Sequence, residues 1–295
     1  MKVYVSGATG FVGSHVARAL EERGADVRDE RVDLLDPVGL ERIVEGCDAV
    51  VHVAALYSYD AAPELLERVN VEGTRNLLET AARKGIRRFV HTSTAGTCGP
   101  VPGRPAGEED APPSWELAVS YKRTKLAAER LALEAGAVVV NPTTPVGEGD
   151  RKPTPTGRMI RGVASGRVRG YVSTTGLNLV DVRDVARGHA LALERGEPGE
   201  RYLLGGVNLP LEELFAAVAA LAGRPRPRIR VPYAVALAGS RAGLVNRDEV
   251  RLARLPMYFS SNKASSRLGY AAGPVEPALA RAVAEALGTN GKGGA

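Results

Sequence analysis

Aromatic residues and cysteines are scarce in this sequence. Aromatic side chains make up 5% of the 295 residues. This argues against a protein that stacks nucleic-acid bases on aromatic rings, and we expect no nucleic-acid partner. The two cysteines, Cys47 and Cys98, have no other metal-ligating residue at a typical spacing. We therefore expect neither a disulfide framework nor a metal site.

Long hydrophobic runs are also missing. No apolar stretch approaches the ~18 residues of a membrane-spanning helix. The sequence starts directly with a strand-like segment and a glycine-rich loop, so we expect a cytoplasmic protein without a membrane span. The 39 basic and 34 acidic residues leave a net charge of +5, at most a mild preference for anionic ligands. The apolar fraction of 44% is typical of a globular domain.

Short apolar segments alternate with helical patterns over the first half of the chain. The apolar segments predict strands at residues 2–6, around 27, at 31–35, 49–55, 87–94 and 137–141. Between them, helices are predicted after residue 11, after Asp36, over 65–84 and over 120–134. This order predicts an α/β fold with a doubly wound parallel sheet of the Rossmann type, because parallel strands need helical crossovers.

The character of the sequence changes after Asn141. Residues 142–157 are rich in Pro, Thr and Gly and predict a loop, and a later strand at 202–204 returns to the sheet. We predict a dinucleotide-binding domain formed by residues 1–145 and about 175–207. A smaller C-terminal substrate-binding lobe is predicted over 146–174 and 208–288, followed by a flexible tail over 289–295.

A glycine-rich loop links the first predicted strand to the first helix. Its three glycines have the spacing GxxGxxG over residues 7–13. Glycines at such a turn let the backbone approach a pyrophosphate closely, and the helix N-terminus behind them favours negative charge. Because the loop follows a strand and opens a helix, we predict a dinucleotide site. Its contacts are predicted at Gly7, Thr9, Gly10, Phe11, Val12 and Gly13.

Tyr121 and Lys125 have a YxxxK spacing on the predicted helix 120–134. Residues four apart share one face of a helix. A lysine ammonium beside a phenol favours the phenolate and lowers the phenol pKa from its free value of ~10. We predict that Tyr121 donates or accepts a proton during catalysis. Lys125 is predicted to lower that pKa and to hold the bound dinucleotide.

Hydroxyl side chains follow one another where the strand 87–94 ends, in the segment HTSTAGT over residues 91–97. A hydroxyl at this edge can donate a hydrogen bond to a substrate carbonyl oxygen and stabilise the charge that develops there. Tyr57 and Tyr59 follow the strand 49–55 at the same edge, where α/β sheets bind ligands. We predict that both tyrosines line the substrate pocket.

The whole chain resembles the extended short-chain dehydrogenases/reductases, the NAD-dependent epimerase/dehydratase family. The resemblance rests on the GxxGxxG and YxxxK motifs and on three further segments: NVEGT at 70–74, NPTTPVG at 141–147 and VDVRDVA at 180–186. It implies the Rossmann fold, a nicotinamide cofactor and a small-molecule substrate. A homodimer is compatible with it.

The resemblance also assigns individual positions. Matching residue by residue places the catalytic hydroxyl at Thr94, with Ser93 as the alternative, and Ala95 and Gly96 then border the substrate. Dehydratases of the family carry an Asp-Glu pair at these last two positions, so their chemistry is excluded. The cofactor contacts that the resemblance implies are Val53, Ala54, Ala55, Asn70, Thr92, Ser93, Tyr121, Lys125, Asn141, Pro142 and Thr144.

The segment 28–34 bears on the choice between NAD and NADP. The family's adenine-contacting pair of an aspartate and a hydrophobic residue matches Asp33 and Leu34. Arg28 and Arg31 could pair with the 2′-phosphate of NADP, whereas the carboxylates at positions 29 and 30 could bind the 2′-hydroxyl of NAD. The sequence offers both arrangements, and we lean towards NADP.

Four segments resemble the hopanoid-associated sugar epimerase group, which is dihydroflavonol reductase-like: HVAALYSYD, NPTTPVGEGDRKPTPTG, GLNLVDVRDVARGHALALERG and GERYLLGG. This resemblance implies an NAD(P)-dependent oxidoreductase that transfers hydride between the nicotinamide and a carbonyl or secondary alcohol of a small organic substrate. The alternatives are a nucleotide-sugar epimerase with retained NAD and a non-catalytic dinucleotide sensor. The run 95–97 favours the reductase, and the group's name favours the epimerase. The intact Tyr121 and Lys125 speak against the sensor.

Overall fold

The computed structural model describes residues 1–59 and 61–289. Its main sheet consists of β1 (Lys2–Ser6), β2 (Asp26–Arg28), β3 (Ala49–His52), β4 (Arg88–Thr92), β5 (Val138–Pro142) and β9 (Arg201–Leu204). All neighbouring strands are parallel, in the order β2-β1-β3-β4-β5-β9. The prediction of a doubly wound α/β fold is confirmed.

Helices cover both faces of this sheet because successive side chains of a strand point to opposite sides. Val3 and Val5 pack in the apolar core of one face, whereas Tyr4 between them packs in the core of the other. The first face carries α1 (Phe11–Glu21), α7 (Val182–Arg195) and α11 (Asn262–Leu268). The second carries α2 (Pro37–Val44), α4 (Gly73–Arg83) and α5 (Ser120–Glu134).

A second apolar core lies in the C-terminal lobe, around Ile160, Leu179, Phe215 and Leu279. It is built from β6 (Thr144–Val146), α6 (Pro155–Ala164), β8 (Gly176–Asp181), β10 (Val207–Pro210), α8 (Leu211–Leu221) and α12 (Glu276–Thr289). The remaining elements are α3 (Pro63–Glu67), β7 (Gly170–Val172), β11 (Ile229–Val231), α9 (Tyr233–Arg241) and α10 (Arg247–Leu252). β8 pairs with β6 and β10, although the sequence groups 175–207 with the dinucleotide-binding domain. The boundaries of the two units stay a prediction.

Two sequence expectations meet a different outcome, and the expected flexible tail is not tested. Residues 31–35 form a turn instead of a strand, because the Asp33 carboxylate accepts a hydrogen bond from the Leu35 N–H at 3.0 Å. The helical pattern at 65–84 is divided into α3, a π-helical turn over Arg68–Glu72 and α4. The tail 289–295 lies outside the described residues, apart from Thr289 at the end of α12.

Within residues 1–59 and 61–289, none of the helices has the length and apolar character needed to cross a bilayer.

Candidate active site

A deep cleft of about 1710 Å³ runs along the carboxyl-terminal edge of the main sheet. The strand order reverses between β1 and β3, and the loops that diverge at such a point leave a crevice. The cleft is larger than the ~300–1,000 Å³ of an ordinary small-molecule pocket. It has room for a dinucleotide together with a second small molecule.

The glycine loop forms one wall of the cleft. Gly7 has a left-handed backbone with φ 74°, and a Cβ there would lie 2.7 Å from the Ala54 backbone nitrogen. A Cβ on Gly13 would overlap the carbonyl oxygen of Gly7. A Cβ on Gly10 would meet only that same oxygen, at 3.2 Å, and would otherwise project into the cleft. Gly7 and Gly13 are therefore required by the shape of the turn. Gly10, which has no side chain, leaves its backbone accessible from the cleft. The loop also lines the cleft with Thr9, Phe11 and Val12.

Arg28 does not reach the cleft, contrary to the prediction. Its guanidinium donates hydrogen bonds to the carbonyl oxygens of Arg42, Ile43 and Glu45, the shortest of them 2.7 Å to Ile43. These carbonyls end α2 and have no partner within the helix, so a cation is well placed there. The structure thus removes Arg28 from the proposed cofactor contacts.

Arg31 remains at the predicted ribose position. It lines the cleft beyond the glycine loop together with Asp29, Asp33 and Leu34. The side chains of Arg31 and Asp29 are exposed, and neither forms an ion pair within the described part of the chain. Arg31 and the carboxylates of Asp29 and Asp33 are therefore the charged groups of this segment that border the cleft.

The segment after β3 lines the cleft beside the glycine loop with Val53, Ala54 and Ala55. Asn70, predicted to contact the cofactor, is buried behind this segment and does not line the cleft. Its amide accepts a hydrogen bond from the Leu56 N–H at 2.7 Å and donates one to the Leu56 carbonyl at 3.1 Å. Asn70 is therefore a positioning residue that fixes the wall segment.

Tyr121 lies in the cleft at the start of α5, within a cluster of three tyrosines. Its ring centroid is 4.5 Å from that of Tyr57 and 6.0 Å from that of Tyr59. The hydroxyl oxygens of Tyr57 and Tyr59 are 3.2 Å apart. Burial, with the neighbouring Tyr57 second, raises the pKa of Tyr121 above its usual value. The expectation of a lowered pKa is not met here, because the stacked rings exclude water from the phenol.

Lys125 lines the cleft one helical turn after Tyr121. Its ammonium donates a hydrogen bond to the carbonyl oxygen of Thr92 at 2.7 Å. Burial lowers the pKa of Lys125 to about 8, while the carboxylate of Glu129 opposes this shift. The hydroxyl of Thr92 in turn lies 2.9 Å from Nε2 of His189 on α7. Lys125 is thereby held at the end of β4.

Thr94 caps the short 3₁₀ turn Ala95–Thr97 that follows β4. Its hydroxyl accepts a hydrogen bond from the Gly96 N–H at 3.3 Å. Thr94 lines the cleft together with Thr92, Ser93, Ala95 and Gly96, as predicted for this segment. The Ser93 hydroxyl is buried and has no hydrogen-bond partner among residues 1–59 and 61–289. A buried unpaired hydroxyl at a cleft wall calls for a ligand partner, so both hydroxyls remain candidates.

A buried polar cluster that the sequence reasoning missed lies behind this turn. Glu129 of α5 accepts hydrogen bonds from the Thr97 hydroxyl at 2.6 Å and the Asn141 amide at 2.7 Å, and pairs with Arg201 at 2.7 Å. Asn141 also donates to the Thr94 carbonyl at 3.1 Å. The available signal was the spacing: Glu129 follows Tyr121 by eight residues and shares its helix face.

Asn141 therefore holds the turn at Thr94 and does not reach the cleft in which the cofactor is expected. It is completely buried and does not line the cleft, contrary to the prediction. Pro142 and Thr144, farther along the same segment, do line it.

Lys122 and Glu116 form a buried ion pair at the far end of the cleft, which no sequence motif indicated. A Cβ on Gly96 would lie 2.8 Å from Cε of Lys122. The glycine at position 96 thus makes room for this lysine. The lobe lines the cleft with the apolar side chains Met159, Leu177, Leu211, Met257 and Phe259, and also with charged ones, among them Asp150, Arg151, Lys152 and Glu249.

Comparison with known proteins places this geometry in a family. The description of the family model that matches residues 3–205 is "NAD dependent epimerase/dehydratase family". A putative dihydroflavonol 4-reductase from Synechocystis sp. is 37% identical, over 95% of this chain and 93% of that protein. Sterol demethylase protein B from Methylococcus capsulatus is 36% identical, over 79% and 78%.

Solved structures share the fold over nearly the full length. The crystal structure of gox2253 superposes with a TM-score of 0.86 at 40% identity and covers 98% of each chain. PA4631, a nucleoside-diphosphate-sugar epimerase from Pseudomonas aeruginosa, superposes with a TM-score of 0.83 at 29% identity, covering 99% of this chain and 98% of that one. The chain therefore belongs to the NAD-dependent epimerase/dehydratase family, and it is an NAD(P)-dependent enzyme of the reductase, dehydrogenase or epimerase type that acts on a small molecule.

Proposed function

We propose that this enzyme is a reductase that transfers hydride between NAD(P)H and a carbonyl carbon, or the corresponding secondary alcohol, of an apolar small molecule. The observation that carries the proposal is the meeting of Tyr121, Lys125 and Thr94 in the same cleft as the glycine loop. The dihydroflavonol 4-reductase relative supports the same reaction class.

The residues present fit a dinucleotide. The N-terminus of α1 offers N–H groups to a pyrophosphate, and the missing side chain at Gly10 leaves room for it, because any side chain there would stand in the cleft. The wall of Val53, Ala54 and Ala55 would contact the adenosine half. When bound, the reduced nicotinamide supplies the hydride.

Tyr121 supplies the proton in this proposal. The phenol is protonated at neutral pH with or without its raised pKa, so it can donate its proton to the oxygen of a carbonyl that is being reduced. Thr94, with Ser93 as the alternative, donates a hydrogen bond to that oxygen and stabilises its developing negative charge. Lys125 holds the ribose of the nicotinamide and adds positive charge beside the phenol.

The far end of the cleft favours an apolar substrate. The tyrosine cluster and the residues Met257 and Phe259 face this end, and burying apolar surface there stabilises an apolar ligand by about 25 cal/mol for each Å². The sterol-related relative agrees with this preference. A nucleotide-sugar epimerase is the second candidate, because Arg151 and Lys152 lie at the cleft and could pair with a sugar diphosphate.

Cofactor choice in this proposal rests on Arg31. With Arg28 engaged at the end of α2, Arg31 alone of the two arginines is available for the 2′-phosphate of NADP. Asp29 at the same position is the group that would favour NAD. Both side chains are exposed and form no ion pair within the described part of the chain, and we propose NADP because an arginine can bind the 2′-phosphate through two hydrogen bonds.

A panel of substrates tests the function. The purified enzyme is incubated with apolar ketones, aldehydes and secondary alcohols, and separately with UDP- and dTDP-sugars, in the presence of each cofactor. We expect turnover of an apolar carbonyl with oxidation of added NADPH, read from the reduced-nicotinamide absorbance. Interconversion of a nucleotide sugar without net cofactor consumption, by protein that retains NAD through purification, would replace the reductase by the epimerase.

A further inference from the structure

Residues 221–247 of the lobe concentrate positive charge. This segment, which we call the basic segment, contains six arginines and no acidic residue, so its charge of +6 exceeds the +5 of the whole chain. Arg224, Arg226 and Arg228 are exposed and form no ion pair with any residue that the structure describes, whereas Arg230 pairs with Glu212. Such a field attracts an anionic partner.

The basic segment also exposes large apolar side chains. It holds five of the eleven exposed large apolar residues in the described part of the chain, in less than a tenth of its length. The exposed fractions are 46% for Leu221, 60% for Ile229, 60% for Val235, 79% for Leu244 and 49% for Val245. Single exposed apolar residues are ordinary on a protein surface, but here nearly half of them fall within one short segment.

Helix α9 within this segment presents an apolar side to solvent. Ala234, Val235 and Ala238 are exposed, with Arg241 one turn later on the same side, while Ser240 is buried. A helix of a globular protein ordinarily turns its polar side outward. Leu244 and Val245, directly after α9, extend the exposed apolar area.

We propose that the basic segment docks the enzyme on the surface of an anionic lipid bilayer. Arginines drawn to acidic headgroups and apolar side chains that insert beneath them are the combination that holds a helix in a membrane interface. A second copy of this chain fits less well, because two segments of charge +6 would repel each other. Docking brings the cleft to the bilayer, since α9 packs on α10, and Leu252 and Ala253 at the end of α10 line the cleft.

Co-sedimentation with lipid vesicles tests the docking and does not depend on the proposed reaction. The full chain is mixed with vesicles of phosphatidylcholine alone, and with vesicles of equal parts phosphatidylcholine and phosphatidylglycerol, at ~0.1 M salt, where exposed charges are screened beyond about 10 Å. We expect binding to the anionic vesicles and little to the neutral ones. Binding should weaken as salt rises.

Two variants distinguish the contribution of the arginine charges to vesicle binding from that of the inserted apolar side chains. Replacing Arg224, Arg226 and Arg228 by Gln should lower the partition coefficient on the order of 100-fold, at roughly fivefold for each arginine. The matched control replaces three exposed arginines outside the segment, Arg75, Arg87 and Arg130, by Gln and should lose far less. The double variant Leu244→Ser/Val245→Ser should lose roughly tenfold, whereas Val38→Ser, on a side chain that is 77% exposed on α2, should bind as the unchanged protein does.

Circular dichroism and cofactor titration show that each variant is folded. Absence of binding to anionic vesicles by the unchanged protein overturns the proposal, and so does equal loss in the variants and their controls. Self-association that Leu244→Ser/Val245→Ser abolishes, without vesicle binding, would make the surface an interface between copies and also overturns it.

Discussion

At the scale of single residues, Tyr121 is the proposed proton donor. We expect Tyr121→Phe to lower kcat by ~10² to 10⁴, the usual contribution of a general acid, because the variant lacks the phenol hydroxyl that donates the proton. Cofactor affinity should stay unchanged, since the ring still packs against Tyr57. The measurement is turnover by nicotinamide absorbance, together with a cofactor titration.

Tyr59→Phe is the matched control for this change. It removes a hydroxyl from the same cluster, one whose partner is Tyr57. Its turnover should remain close to that of the unchanged enzyme. A Tyr121→Phe variant that keeps more than a third of the activity would contradict the assignment.

Lys125 gives the site a pH-dependent stability. Its pKa of about 8 in the folded chain lies below its usual 10.5, because burial disfavours the ammonium. Between these two pH values the unfolded chain holds a proton that the folded chain has released, so the free energy of unfolding rises with pH. The rise is on the order of 3 kcal/mol, at about 1.4 kcal/mol for each pKa unit.

Lys125→Met removes the ammonium group whose titration causes this rise. Denaturant unfolding of both proteins at pH 7, 8, 9 and 10 should show the unchanged enzyme gaining stability relative to the variant above about pH 8. Parallel curves over this range would mean that the lysine remains solvated in the folded chain.

Arg31 is the residue on which the NADP preference depends. Arg31→Ala should weaken NADPH binding by roughly tenfold or more and NADH binding little, because a charge-assisted bond to phosphate contributes ~1.5–3 kcal/mol. The loss should shrink at high salt. Fluorescence titration with both cofactors measures it.

Arg28→Ala serves as the control, since Arg28 bonds the end of α2. Arg28→Ala should lower the free energy of unfolding and leave the affinities for NADPH and NADH unchanged. Tighter binding of NADH than NADPH by the unchanged enzyme would reverse the assignment and transfer the ribose contact to Asp29.

At the scale of elements, two glycines of the glycine loop have different roles: Gly13 is needed for the fold of the turn, and Gly10 for dinucleotide binding. Gly10→Val should fold and lose dinucleotide binding, because its side chain projects into the cleft where the pyrophosphate would lie. Gly13→Ala should instead destabilise the fold, since its Cβ would overlap the Gly7 carbonyl oxygen. Thermal unfolding and cofactor titration of the two variants distinguish the effects, and a folded Gly10→Val protein with unchanged affinity would reduce the loop to a turn.

Helix α5 is the element that ties the site together. One face carries Tyr121 and Lys125 towards the cleft and Glu129 towards the buried cluster behind Thr94. A shift of this helix would therefore move the proton donor and the carbonyl-binding hydroxyl together. The YxxxK spacing predicts the roles of Tyr121 and Lys125. The role of Glu129 is visible only in the tertiary structure, where β5 and β9 place Asn141 and Arg201 against it.

At the scale of the whole molecule, the cleft lies between the sheet edge and the lobe, so a bound cofactor should stabilise the folded chain. NADPH at 100 times its dissociation constant adds ~2.7 kcal/mol to the free energy of unfolding. This corresponds to a rise in Tm of roughly 5–10 °C for a chain of this size. Differential scanning fluorimetry checks it, and the rise should be absent in Gly10→Val. An unchanged Tm at saturating NADPH and NADH would contradict the dinucleotide site.

The sequence by itself determined the parallel sheet, the glycine loop and the pair Tyr121 and Lys125. These features depend on local periodicity and on spacing within one element, which neighbouring residues specify. The apolar strands also placed the hydroxyls and the two tyrosines at one sheet edge, because parallel strands share a direction.

Only the tertiary structure decided which polar side chains face the cleft. Arg28, Asn70 and Asn141 each found partners on a distant segment, at the end of α2, at Leu56 and at Glu129, and turned away from the cleft. A buried polar group must be paired, and which partner is near depends on packing between elements far apart in the sequence. The same holds for the pKa of Tyr121, which burial and, second, the neighbouring Tyr57 raise, whereas the lysine alone predicted a decrease.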